Sequence, residues 1–161
     1  MRAAAAAAAF ILCLAAGLRR SAALKRRAEL LGELVVMLKL FGIEIRCCAY
    51  PLDELCERAE GRFAELVRAA REHCPDIRSA WERACSQMRG SGYGAAETEL
   101  MRELGKSLGT SDIAGQETLL ALHGERLSAL YEQAAADYAK KGKTFRSVGL
   151  LCGAGAAVLL I

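Results

Sequence analysis

The sequence predicts an all-α protein, a compact antiparallel bundle of about six helices, and three observations carry that prediction. Ala, Leu, Glu and Arg are abundant while Val and Ile are sparse, a mix that favours helix over sheet. Only 2 of the 161 residues are Pro, and no stretch alternates apolar and polar residues for long, as a half-buried strand would. Apolar residues recur at heptad spacing in two long segments: Leu24, Leu31, Leu38 and Ile45, then Ile113, Leu120, Leu127 and Ala134. A chain of this length suits one bundle with a real core.

The first element is an apolar helix. Residues Ala3 to Leu18 carry no charge. At roughly 1.5 Å per residue they reach about 24 Å, against a hydrocarbon core of about 30 Å. Ser21 to Leu24 extend the run if Arg19 and Arg20 snorkel to the interface. Residues 1–24 are therefore expected to form a transmembrane anchor. Ala15-Ala16-Gly17 also reads as a signal-peptide cleavage site, but Arg19, Arg20, Lys25, Arg26 and Arg27 follow at once and resist translocation. An uncleaved anchor is the preferred reading.

The body is expected over 25–142. Its first long helix carries the Leu24–Ile45 stripe, widened by Leu34, Val35 and Phe41, with Glu29, Glu33 and Lys39 elsewhere on its surface. It should stop near Tyr50, because Pro51 disfavours helical geometry in the residue before it. Pro51 then opens a short helix with Asp53 and Glu54 near its positive end. Gly61 separates that helix from one over Arg62 to His73. Pro75 and Asp76 start the next, which carries Trp81, most simply a core anchor. Gly90 to Gly94 form a loop. A fifth helix runs from about Ala95 to Leu108, Gly109 ends it, and Thr110, Ser111 or Asp112 caps the long sixth helix. The last segment, 143–161, mirrors the first: Lys140, Lys141, Lys143 and Arg146 precede the uncharged run Ser147 to Ile161. No polar face interrupts it, so a second transmembrane anchor is expected in place of a helix docked on the body.

Charge is distributed unevenly. Residues 28–139 hold all 19 acids and twelve of the 22 Lys and Arg, a net −7, which leaves +10 on the two ends. A nucleic-acid binder would carry its basic residues on the body. Here they flank apolar runs, which points to anionic lipid and places both basic clusters, and the body between them, in the cytosol. The membrane-surface candidates are thus Arg19, Arg20, Lys25, Arg26, Arg27, Lys140, Lys141, Lys143 and Arg146.

The seven cysteines include no CxxC pair, and an odd, scattered set fits a reducing compartment better than a disulfide framework. Neither His73 nor His123 falls in a metal-site spacing. The Gly90–Gly94 stretch lacks the Lys and Ser or Thr of a phosphate loop. No catalytic, cofactor-binding or metal-ligating residue is assigned, and an enzyme is not expected.

Several segments together resemble one family. ELLGELVVMLKLFGIEI (Glu29 to Ile45), YPLDEL (Tyr50 to Leu55), AWERA around Trp81, LGKSLGTSDIAGQ (Leu104 to Gln116) and KTFRSVGLL (Lys143 to Leu151) resemble the stage III sporulation protein AB family. The resemblance implies a mother-cell membrane component of the channel complex that joins mother cell and forespore in endospore-forming bacteria. It further implies a cytosolic domain similar to the platform protein of type II secretion systems, which contacts an ATPase. The function expected is a non-catalytic membrane scaffold of that channel, with other stage III A proteins, their ATPase and anionic lipids as partners, and no nucleic acid. The alternative is a membrane-anchored adaptor that recruits a single cytosolic protein. The candidate partner contacts lie at the helix ends opposite the basic clusters: Glu44, Tyr50, Pro51, Leu52, Ser111, Asp112 and Gln116.

Overall fold

A computed structural model describes residues 2–48 and 50–160, and these form helices and short turns with no strand among them. Among the described residues there are six α-helices: α1 (Arg2–Cys48), α2 (Leu52–Arg58), α3 (Arg62–Arg71), α4 (Ile77–Met88), α5 (Ala95–Ser107) and α6 (Ile113–Leu160). A single 3-10 turn, Arg89–Ser91, follows α4 where a plain loop was expected. The all-α class and the helix order follow the sequence reading.

Local chemistry explains each boundary. Pro51 is extended, at φ −67° and ψ 156°, and stands as the N-cap of α2 rather than in its first turn. Arg68 closes the other end of α2 by donating to the carbonyls of Cys56, Glu57 and Ala59, the last at 2.7 Å. The α3 helix begins after Gly61, and the carboxylate of Glu33, on α1, accepts the Arg62 N–H at 2.8 Å. Asp76 caps α4 by accepting from the Ser79 N–H at 2.8 Å and the Ser79 hydroxyl at 2.9 Å. Those hydrogen bonds favour the charged form and hold the Asp76 carboxyl below the usual carboxylate range. At the start of α5, the Glu97 carboxylate accepts from the Gly94 N–H.

The chain divides into two compact units, residues 29–132 and the paired ends 1–28 and 133–161. In the first, α3, α4 and α5 pack in succession, and the core gathers Leu31, Leu34, Phe41, Phe63, Trp81, Met101 and Leu127, all buried. Trp81 anchors it as expected: its indole N–H donates to the Met101 carbonyl at 2.7 Å, and Phe63 meets it edge-on at 4.9 Å between centroids. Within this unit α1 and α6 run antiparallel. Gly32 packs against Tyr131, while Arg46, farther along α1, pairs with Glu117, earlier on α6, at 3.1 Å. Of the heptad positions, Leu31, Leu38, Ile45, Leu120, Leu127 and Ala134 are buried, Leu24 is half-buried, and Ile113, in the first turn of α6, is 51% exposed.

In the unit of the paired ends, Ser21 and Gly142 are both buried, and a Cβ on Gly142 would lie 3.3 Å from the Ser21 hydroxyl. Ile11, Leu12, Leu18, Val148 and Leu151 are exposed there. The two expected spanning anchors are not found: among the described residues, no helix is long and apolar enough to cross a membrane. The uncharged run 3–18, bounded by Arg2 and Arg19, falls short of the roughly 20 apolar residues that a span needs.

Candidate partner-binding site

The turn between α5 and α6 is built by five residues of the LGKSLGTSDIAGQ segment. Gly109 has φ +74°, a left-handed conformation that a side chain disfavours. Its N–H donates to Gln116 Oε1 at 3.0 Å, and Gln116 Nε2 donates to the Ser111 hydroxyl at 3.0 Å. Gln116 is buried, so these bonds satisfy an amide that water does not reach. Asp112 caps α6 by accepting the Gly115 N–H at 3.0 Å. A Cβ on Gly115 would stand 2.7 Å from Ser111 Oγ and 2.9 Å from Asp112 Oδ1, so the cap needs glycine there.

This turn closes over the start of α2. Tyr50, Pro51 and Leu52 meet Gly109, Ser111 and Gln116 around a cavity of about 160 Å³, with Ile45, Leu55, Leu108 and Ile113 completing its wall. The Arg58 guanidinium lies 4.3 Å above the Tyr50 ring and donates to Glu54 at 2.8 Å, which holds the ring in place. The wall is mainly apolar, with the Ser111 hydroxyl and the Gln116 amide as its polar groups. Such a hollow suits one apolar side chain offered by another protein.

Of the seven contact candidates from the sequence, Tyr50, Pro51, Leu52, Ser111 and Gln116 line one cavity. Asp112 is spent on the cap of α6. Glu44 stands apart, in a crevice with Phe41, Leu55, Arg58 and Ala59. Ile113 escaped the sequence reading as a wall residue because its heptad position marked it as core. The signal that could have found it is its place directly after the capping residue.

The membrane-surface candidates lie on the paired ends. Arg19, Arg20, Lys25, Arg26, Lys140, Lys141 and Lys143 are exposed, Arg27 is half-buried, and Lys141 pairs with Asp137 at 2.8 Å. Arg146 is outside the residues whose side chains are described.

Desolvation pushes the thiols of Cys56 and Cys85 up to about 12, with Asp53 and Glu82 adding to the effect, so both stay protonated at neutral pH. Burial likewise raises the Tyr93 phenol above its ordinary range. No group of three or more His, Cys, Asp or Glu placed to hold a metal occurs among the described residues.

The model of one protein family, stage III sporulation protein AB, matches residues 2–161. No curated protein and no solved structure matches the chain.

Proposed function

The chain belongs to the stage III sporulation protein AB family, and from that premise we propose that it is a non-catalytic scaffold in the membrane-embedded channel complex between mother cell and forespore. The observation that carries this reading is the convergence of the two segments YPLDEL and LGKSLGTSDIAGQ on one apolar cavity, which neither segment could form alone. A scaffold needs a preformed contact for its partners, and that cavity is one. The partners in this reading are other stage III A proteins, including the ATPase of the complex.

Membrane attachment belongs to the same proposal. Large apolar side chains left exposed on the paired ends, such as Leu12 and Leu151 (each 70% exposed), favour an apolar medium over water. The basic residues beside them favour anionic headgroups, at about 1 kcal/mol for each charge near the surface. The acidic body then faces the cytosol.

Purification of the full chain from membranes of sporulating cells tests the scaffold. The wild type is expected to bring down several stage III A proteins, and Ile113→Glu, which puts a charge in the cavity wall without touching the buried core, is expected to release them. Recovery of one soluble client alone would favour the adaptor, and undiminished recovery with Ile113→Glu would remove the cavity from the argument.

A further inference from the structure

The body leaves one face of its long helix pair uncovered. Between residues 38–46 of α1 and 117–132 of α6 runs an open groove of about 620 Å³. Its floor includes Gly42 and Gly124, and a Cβ on either would meet nothing within 4 Å. The glycines therefore leave a hollow, not a tight helix crossing. Ile43 rises from the α1 edge, 48% exposed.

The charges of the groove are sorted by edge. Lys39 stands on the α1 side and Glu125 on the α6 side, and neither has an ion-pair partner among the described residues. The contacts Gly32 to Tyr131 and Arg46 to Glu117 set the register of the two helices. Lys39 is midway along α1 between the first pair and the second, and Gly124 is midway along α6. Lys39 and Glu125 thus stand at nearly the same height on opposite edges.

We propose that a second copy of this chain occupies the groove, related to the first by a two-fold axis parallel to α1 and α6. Such an axis preserves height and exchanges edges. Lys39 of each copy then faces the partner's Glu125, and the pairing occurs twice. Each α1 lies antiparallel to the partner's α6, so the four helices form a bundle in which every neighbour is antiparallel. By the same register Ile43 comes level with Leu120 of the partner subunit, one turn along α6 from Gly124, where Leu120 and Ala121 give the groove an apolar lining. A two-fold axis across the helices would set α6 against α6 and bring like charges together. The charge pattern therefore selects the first axis. This inference does not depend on the scaffold reading, since it uses a different face and a different partner.

Sedimentation equilibrium of the full chain in density-matched detergent tests it. The wild type is expected as a dimer. Lys39→Glu and Glu125→Lys should each raise the dissociation constant about tenfold or more, because two attractive pairs become two repulsive ones. The double variant K39E/E125K should recover the wild-type value, which a merely structural role for either residue would not produce. Gly124→Leu should fill the hollow and give monomers with unchanged helix content by circular dichroism. A wild type that is monomeric at every concentration would overturn the proposal and leave the groove to a helix of another protein. So would a dimer indifferent to Lys39→Glu and Gly124→Leu, or single reversals that the double variant fails to rescue.

Discussion

Trp81 shows how much a single buried side chain demands of its neighbours. Its ring is held by the Met101 carbonyl on one side and the Phe63 edge on another, so it cannot retreat. Gly105, buried on α5, lies against that ring, and a Cβ there would collide with Cδ1 and Nε1 of the indole. Gly105→Ala is therefore expected to cost about 1–3 kcal/mol by overpacking, even though alanine is the better helix former. Urea unfolding of the full chain, followed by the fluorescence of its only Trp, measures this, and an unchanged midpoint would mean that the ring moves aside freely. The tryptophan as core anchor was legible in the sequence, as the one large aromatic in an amphipathic segment. The need for glycine opposite it was not, because nothing local to Gly105 marks which residue faces it.

At the scale of elements, the starts and stops of helices were largely written in the chain. Proline before α2, aspartate before α4 and the Gly109 to Asp112 turn before α6 act through bonds within a few residues, so spacing alone exposes them. The start of α3 is the exception. Gly61 offers no side chain, and the carboxylate that serves the exposed N–H of Arg62 comes from Glu33, 29 residues earlier. On the sequence Glu33 reads as a solvated position of the first long helix. In the fold it ties α1 to α3 and places negative charge at the positive end of α3. Glu33→Ala should cost about 1 kcal/mol through loss of that cap, and Glu33→Gln less, since the amide oxygen still accepts a hydrogen bond. Equal losses in the two variants, measured by thermal unfolding, would mean that the charge alone matters.

For the whole molecule, the separation of charge is the governing feature: residues 28–139 carry a net −7 between ends that together carry +10. If the basic residues hold the chain in a membrane with the body in the cytosol, reversing the N-terminal cluster should scramble the topology. The measurement is labelling of a Cys placed at Ser91, with the native thiols removed, by a membrane-impermeant maleimide in cells freed of their wall. With the native basic cluster the label should enter only after the membrane is broken. With Arg19, Arg20, Lys25, Arg26 and Arg27 all replaced by Glu, a fraction should react from outside. Full protection of both proteins would show that charge does not set the orientation, and labelling of the first would place the body outside.

The sequence alone determined the helical class, the order of the helices, most of their caps and the inward stripes of α1 and α6. All of these rest on propensity, heptad period or contacts a few residues apart, which a chain carries wherever it folds. The family was also legible, through segments matched in order along the chain. Only the tertiary structure decided which side chains meet across long separations: Glu33 on the end of α3, Gly105 under Trp81, and Tyr50, Pro51 and Leu52 around one cavity with Ser111 and Gln116. It also turned Ile113 outward and left the groove beside Gly124 open. Those outcomes depend on how helices pack, and packing is set by side chains distant in sequence that no local pattern relates.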